Sequence, residues 1–514
     1  MSAVLAALRR HAAERPLAAA VVSDGGVLGY AALEARMTAL ASQLRAARIR
    51  RCALMADNGP DWIVADLAML AAGITAVPVP LFFTRTQLEH LLADAGVDAM
   101  LVARGEGLTD DGHGFRQRPL AGAGGLTLLR RSIRRDTALN GRTDIAKVTY
   151  TSGSTGSPRG VCLDRAGMEA VAASLARRLQ GVGVRRHLCV MPLATLLENI
   201  AGIYVPLLLG AAIHAPPLAR VGLSGSSGLD PLQLRHAIAQ SGAESVILLP
   251  QMLAALNRTA DPDPWTDCPL RFAAVGGGRV APAELEQAHA YGLPAYEGYG
   301  LSECHSVVAL NTPGDSRPGS AGRPLPHARV RIAPDGEILV AGAVMQGYLN
   351  APGDAESGIA GTEAATREIA TGDLGSLDDR GFLHVQGRKK NLFITAFGRN
   401  VSPEWVESEL VHEPAIAQVL VWGEALPRNA AVVVPAGRVD AQGVQAAIDA
   451  ANRRLPDYAR VSAWLPAEAP FRPDTGELTA NGRLRRDVLL ERYGHRLTDL
   501  IHGVTAPDKK VINA

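Results

Sequence analysis

Residues 148–161 read Val-Thr-Tyr-Thr-Ser-Gly-Ser-Thr-Gly-Ser-Pro-Arg-Gly-Val. A short β-branched and aromatic run, which favours a strand, gives way to a loop of hydroxyls and glycines. Thr151, Ser152, Ser154, Thr155 and Ser157 supply hydroxyl donors, while Gly153, Gly156 and Gly160 let backbone N–H groups turn inward. Such a loop can wrap polyphosphate oxygens, and Arg159 can add a charge-assisted contact. Composition alone is equally compatible with a polar surface linker. The Walker A pattern is excluded, because no Gly-Lys-Ser/Thr follows.

Five further stretches carry groups that could do chemistry. Residues 296–303 read Tyr-Glu-Gly-Tyr-Gly-Leu-Ser-Glu: a carboxylate here can hold Mg²⁺, a hydroxyl can meet a phosphate, and an aromatic face can cover a purine, though the stretch equally fits a glycine-rich turn with a solvated glutamate. Gly276-Gly277-Gly278 ends a predicted strand and leaves room for a planar base, as any tight strand-to-helix turn would. Thr371-Gly372-Asp373 is an ordinary turn on its own; it gains interest from its spacing before Gly387-Arg388. Residues 387–409 hold Lys389-Lys390 and a helix start at Ser402-Pro403-Glu404, with serine as N-cap and proline at N1. Residues 478–486 end Asn481-Gly482-Arg483-Leu484-Arg485-Arg486.

The elements that must position these residues alternate. Helical spacing over 31–47 and 85–95 is interleaved with short apolar strands at 52–55, 76–79 and 99–102, which predicts parallel α/β layers. Two apolar runs, 67–84 and 200–219, are broken by Gly73, Pro78, Gly210 and Pro216, so each predicts a buried helix and a following strand and not a membrane span. Residues 104–142 lack periodicity and read as a surface connection. A helix over 166–180 follows the hydroxyl loop, a helix over 232–241 ends at Gly242, and strands are predicted at 188–192, 245–249 and 271–275. From 326 to 385 the pattern changes to strands and turns, an all-β subregion.

A chain of 514 residues exceeds a single core. Hydrophobic content of 47% with mean hydropathy +0.07 suits a globular chain. The 52 basic and 51 acidic residues give a net charge of +1, which provides no footprint for nucleic acid. Cys52, Cys162, Cys189, Cys268 and Cys304 are scattered without a CxxC pair, so free core thiols and a cytoplasmic setting are expected. The N-terminal apolar run is too short for a signal peptide. Basic residues are almost all arginine; the lysines are Lys147, Lys389, Lys390, Lys509 and Lys510.

The stretch TSGSTGSPRG at 151–160 resembles the phosphate loop of the adenylate-forming (ANL) superfamily, whose usual form is TSGSTGxPKG. The resemblance runs from roughly residue 10 to 490. It implies an α/β fold: a large N-terminal domain of layered α/β subdomains with a small β-barrel-like subregion, residues 1–387, and a small mobile α+β C-terminal domain, residues 388–514, hinged near Lys390. It further implies that ATP is held by Thr151, Ser152, Gly153, Ser154, Thr155, Gly156 and Arg159, with Gly277, Gly278, Glu297, Gly298, Tyr299 and Gly300 around the adenine. By the same resemblance Asp373 accepts from both ribose hydroxyls, Arg388 contacts the same nucleotide, Ser302 touches the α-phosphate, Glu303 holds Mg²⁺, and Arg483 meets the carboxylate and α-phosphate. Arg159 and Arg483 stand where the family usually has lysine, and Thr195 where it usually has a histidine or aromatic residue.

The implied activity is two-step. A carboxylic acid is joined to AMP with loss of pyrophosphate, and a thiol, from CoA or a carrier-protein pantetheine arm, displaces AMP. The wording around 400–405 is closest to fatty-acyl-CoA synthetases. Glu198 fits long-chain members, and the apolar stretch after it lacks an aspartate for an α-amino group, so a fatty or other apolar acid is expected. A carrier-protein ligase, a stand-alone adenylation enzyme and a non-catalytic nucleotide-binding homologue remain alternatives, as do monomer and homodimer.

Overall fold

The computed structural model describes residues 2–104, 114–118, 120, 124–131, 144–151, 158–225, 228–259, 265, 268–350, 359–360, 367–479, 482–503 and 512–513. Among them, two sheets sandwich a layer of helices in the large N-terminal domain. The nine-stranded sheet runs Gly26–Gly29, Ala19–Ser23, Ala212–His214, Arg186–Leu188, Ser245–Leu248, Phe272–Val275, Ala295–Leu301, Ser306–Leu310 and Arg323–Pro324. Its centre is parallel and its edges antiparallel. The seven-stranded sheet runs Arg116–Arg118, Leu126–Arg130, Ala99–Ala103, Arg51–Met55, Thr75–Pro78, Ile145–Thr151 and Arg159–Asp164.

Local chemistry accounts for these elements. The helix Pro60–Ala72 starts with proline in its first turn and stops where Gly73 adopts φ +70°. It is buried on every side from Trp62 to Leu70 because both sheets enclose it. The second apolar run is helical in three pieces, Leu196–Asn199, a π-turn at Ile200–Tyr204, and Val205–Leu209, ending at Gly210 with φ +71°. The π-turn has no signature in the apolar pattern; such turns recur at functional sites. One continuous core joins Leu54, Trp62, Leu67, Met168, Leu175 and Ile203, so the two sheets and the helices between them share apolar packing.

Two expectations need correction. Residues 104–142 are not wholly a connection, because Leu126–Arg130 forms a strand against Ala99–Ala103. Leu126, Leu128 and Leu129 are buried there, in a run too short to show periodicity among its glycines and arginines. Ser402 precedes the helix Pro403–Val411, but its side chain caps no backbone N–H; the hydroxyl donates to Glu404 Oε2 at 3.3 Å instead.

The all-β subregion is a five-stranded sheet built on Ala328–Ile332, Glu337–Gly342, Glu368–Leu377 and Leu383–Arg388 with Ile359–Ala360. The smaller C-terminal domain has a sheet of Ile416–Trp422, Asn429–Pro435, Val461–Pro466 and Ile512–Asn513. Strand alternation gives it two apolar faces: Val419, Val421 and Val433 enter one core, Leu420, Val432 and Val434 the other. Helices Pro403–Val411 and Ala441–Arg454 cover the first face, and Arg486–His502 the second. Among the described residues no helix is long and apolar enough to cross a membrane.

A buried polar knot lies inside the helical layer. Lys147, on the strand that leads into the hydroxyl loop, donates to Asp66 Oδ1 at 2.7 Å and to Asn199 Oδ1. Asp66 Oδ2 accepts from Tyr204 Oη at 2.8 Å and from Asn199 Nδ2 at 3.1 Å. All four residues are at most 2% exposed, so water cannot replace a lost partner. Removing one member of such a pair costs about 3–5 kcal/mol, because an uncompensated charge stays buried. Asp66→Ala is therefore expected to lower the stability of the large domain by about that amount, whereas Asp66→Leu combined with Lys147→Met recovers most of the loss. Urea denaturation followed by a large-domain tryptophan such as Trp62 measures both.

Candidate active site

The site lies where the C-terminal ends of the parallel strands face the small domain. The strand Ala295–Leu301 passes its register shift between Tyr299 and Gly300. A Cβ on Gly300 would sit 2.0 Å from Ser306 O, so only glycine allows this close pairing. Beyond the shift the Tyr299 hydroxyl donates to Asp373 Oδ2 at 2.7 Å. Arg388 Nε meets Asp373 Oδ1 at 2.8 Å, and Arg388 Nη1 donates to Thr371 O at 3.2 Å. Asp373 and Arg388 are direct partners across the strands Glu368–Leu377 and Leu383–Arg388, which explains their wide sequence spacing. Burial pushes the Asp373 carboxyl up; Arg388 and the Tyr299 hydrogen bond oppose it.

The hydroxyl loop is placed by its two ends. Thr151 and Arg159 pair directly across the antiparallel strands. Ser152, Gly153, Ser154, Thr155 and Gly156 lie outside the described residues. The Arg159 guanidinium stacks over the Tyr348 ring, 4.1 Å from its centroid. The Tyr348 hydroxyl in turn donates to Glu303 Oε1 at 2.8 Å. Burial and the Glu303 charge push the Tyr348 phenol up. The exit of the loop and the 302–303 turn are thus held together by Tyr348. Sequence reading missed this residue, since a lone tyrosine after Gly347 carries no spacing signal. Ser302 opens that short turn and Cys304 and His305 are buried behind it.

Arg483 comes from the small domain and donates through Nε to Gly277 O at 3.1 Å. Gly277 has φ +85°, which turns its carbonyl into the cleft. Desolvation and the nearby Arg388 charge pull the Arg483 guanidinium down, while Asp373, Glu303 and Glu404 offset them. Its side chain remains accessible along the cleft, and these charges gather around one point. Two more contacts dock the small domain: His412 Nδ1 on Glu284 Oε1 at 3.0 Å, and Arg258 Nη2 donating to Val411 O at 3.0 Å. Lys390 sits exposed in the turn Lys389–Asn391, while Lys389 pairs with Asp335 Oδ2 at 2.6 Å and Glu337 Oε2 at 2.9 Å. Asn391 donates to Glu404 across this junction.

Gly278 follows the turn, Gly298 packs so that a Cβ would lie 2.9 Å from Leu310 Cδ1, and Glu297 precedes Gly298 on the strand Ala295–Leu301. Burial pushes Glu297 up to about 8, against Arg279 and the Val280 N–H. Arg279 Nη1 donates to Val385 O at 2.7 Å, a second residue that sequence reading missed.

An apolar cavity of about 50 Å³ runs between the nine-stranded sheet and the helical run 196–209. Leu197 lines it and also stands 3.9 Å from where a Gly276 Cβ would be, so it divides cavity from cleft. Thr195 precedes that helix without a capping bond. Among the described residues, His187, Cys189 and Glu198 alone group as possible metal donors. Their bonds are already made within the protein: His187 Nε2 lies 3.0 Å from Glu198 Oε1, and the Cys189 thiol, pushed up by burial, reaches Gly202 O at 3.7 Å.

Residues 8–349 match the family model described as AMP-binding enzyme, and residues 390–503 match its C-terminal domain. The chain belongs to this family. That places it among the adenylate-forming enzymes, with carboxylate–CoA ligases as relatives. It is 26% identical to a long-chain-fatty-acid–CoA ligase, FadD15, of Mycobacterium bovis, over 88% of this chain and 90% of the relative. It is 29% identical to a feruloyl-CoA synthase of an Amycolatopsis species, over 94% and 98%. In fold it is similar to O-succinylbenzoate coenzyme A synthetase from Bacillus subtilis in complex with AMP, with a TM-score of 0.72 and 23% identity over 94% of this chain and 97% of that one.

The raised Glu297 carboxyl gives a pH prediction. Between about 4.5, its ordinary value, and about 8 the folded protein keeps a proton that the unfolded chain has released. Stability from this group is complete below pH 4.5 and declines as pH rises through 8. Melting temperature is expected to fall from pH 5.5 to about 8.5 in the native protein, and Glu297→Gln should flatten that part of the profile in thermal scans.

Proposed function

We propose that the protein is an acid–CoA ligase that activates an apolar carboxylic acid as its acyl-AMP and transfers the acyl group to the CoA thiol. The carrying observation is Arg483 on Gly277 O, a small-domain cation delivered to the cleft that also holds Tyr299, Asp373, Arg388 and Glu303. Asp373 and Arg388 would take the ribose hydroxyls, with Gly277, Gly278, Glu297, Gly298, Tyr299 and Gly300 around the adenine. Thr151, Ser152, Gly153, Ser154, Thr155, Gly156 and Arg159 would hold the phosphates, and Ser302 the α-phosphate.

A carboxylate resists nucleophiles because of its charge. In the first step its oxygen attacks the α-phosphorus of ATP and pyrophosphate leaves; Arg483 and Arg159 spread the negative charge that grows there. Mg²⁺ takes hard oxygen ligands and commonly binds through one or two carboxylates plus substrate phosphates, so the Glu303 carboxylate beside the loop fits it. When bound, Mg²⁺ would neutralise phosphate charge. In the second step the thiol sulfur attacks the acyl carbonyl and AMP leaves. Arg483 and the incoming thiol need the same face of that carbonyl, which supports a swing of residues 388–514 about Lys390 between steps.

The acid is expected to have an apolar body, because the cavity beyond Leu197 is lined by side chains such as Ala201, Val246, Phe272 and Ala274. Relatives named for fatty, feruloyl and succinylbenzoate substrates support the acid class without selecting a member.

With ATP, Mg²⁺ and a panel of short, medium, long and aryl acids, pyrophosphate release is expected with apolar members and CoA consumption should follow it. Silence across the panel would leave a nucleotide-binding homologue; transfer to holo carrier protein but not to CoA would make it a carrier-protein ligase. Arg483→Ala is expected to slow adenylation by about 10²–10³-fold, the scale of losing one charge-stabilising donor, while thiol transfer from preformed acyl-AMP changes far less. Equal loss in both half-reactions would remove Arg483 from this role.

A further inference from the structure

The apolar cavity carries one polar feature. His187 and Ser245 line its wall among otherwise apolar side chains. His187 Nδ1 lies 2.9 Å from Ser245 Oγ, and His187 Nε2 lies 3.0 Å from Glu198 Oε1. Glu198 Oε2 accepts from the Met191 N–H at 3.2 Å. All three side chains are buried, with Glu198 at 0% exposure. The imidazole therefore spends both nitrogens inside the protein and is held rigidly. Ser245 spends one hydrogen-bonding position on it, while a hydroxyl has one donor and two acceptor positions. Ser245 itself lines the cavity.

Strand register sets the depth of this feature. His187 pairs with Ser245 and Ser245 with Phe272, forming one row across the sheet. Phe272, Ala274 and Gly276 alternate onto one face, so that row lies four residues below the Gly276 turn, or ~13 Å at ~3.3 Å per residue. Arg483 marks the carboxylate end beside Gly277.

Resting on the acid–CoA ligase reading above, we propose that Ser245, fixed by His187 and Glu198, selects acids whose apolar body carries a distal hydroxyl on the order of 10 Å from the carboxyl. A hydroxyl can both donate and accept, so it satisfies Ser245 whichever way the Ser245 proton points. A fully apolar acid of the same length would shut Ser245 away from water with its bonding capacity unmet. Ser245 is a specificity residue here, and His187 and Glu198 position it.

Matched pairs test this: 8-hydroxyoctanoate against octanoate, and 3-(4-hydroxyphenyl)propanoate against 3-phenylpropanoate, each read as kcat/KM for ATP- and Mg²⁺-dependent pyrophosphate release. The hydroxylated member of at least one pair is expected to be preferred by roughly tenfold, the scale of one buried hydrogen bond. Ser245→Ala should abolish that preference by raising KM for the hydroxylated acid, with its plain partner changed less than about twofold, a ratio that a merely structural loss would not move. Turnover of both members without preference, or equal loss for both in Ser245→Ala, overturns the role of Ser245 and leaves the ligase reading standing. No turnover of any acid overturns the ligase reading and this proposal with it.

Discussion

The arrangement depends on the ion pair between Lys147 and Asp66. Each is almost wholly removed from water, and each would cost several kcal/mol if left alone there. The pair survives because Asn199 and Tyr204 complete its hydrogen bonds. Its members come from three places: the strand entering the hydroxyl loop, the enclosed helix Pro60–Ala72, and the helical run beside the apolar cavity. A buried charged group tolerates little displacement, so the knot holds the two ends of the proposed reaction at one separation. In a chain that otherwise favours arginine, lysine suits this position: its compact ammonium directs donors to three separate oxygens without a planar fork.

Above that fixed base the cleft is built of charges that compensate one another. Asp373 is held by Tyr299 and Arg388, Glu303 by Tyr348, and Arg483 lies within reach of the same carboxylates. Only Arg483 among these belongs to the part beyond the Lys389–Asn391 turn. It holds Gly277 through two N–H groups on one carbonyl, and the docking contacts of His412 and Arg258 are partly exposed. A cation docked on one exposed carbonyl can leave the cleft without disturbing the charges fixed beneath it.

The apolar cavity shows how the nine-stranded sheet gathers side chains from distant segments. Parallel pairing lines up His187, Ser245 and Phe272 from three separate segments. The polar pair then meets Glu198, which the helix presents beside the π-turn. A polar group so placed is expensive unless partnered, so its position along the cavity discriminates among ligands in a way that apolar walls cannot.

Much of this was legible in the linear chain. Glycine at a helix end, as at Gly73, Gly210 and Gly242, follows from backbone sterics that act within a few residues, and the structure has all three in the left-handed region. The alternation of helix and strand and the all-β stretch were likewise readable, since backbone freedom and side-chain type at short spacing specify them, whereas the stations around 151–160, 296–303, 371–373 and 478–486 stood out through their resemblance to the adenylate-forming superfamily. The strand Leu126–Arg130 was not, because its burial comes from Ala99–Ala103 and not from its own pattern. Tyr348, Arg279 and the His187–Ser245 pair were also hidden, and Ser402 turned to Glu404 instead of capping its helix. The sequence by itself determined which groups are available and which local turns the backbone can make. Only the tertiary structure decided which of them meet, because a buried contact is set by sheet register and helix packing, and these bring together residues whose separation along the chain carries no information about their distance in space.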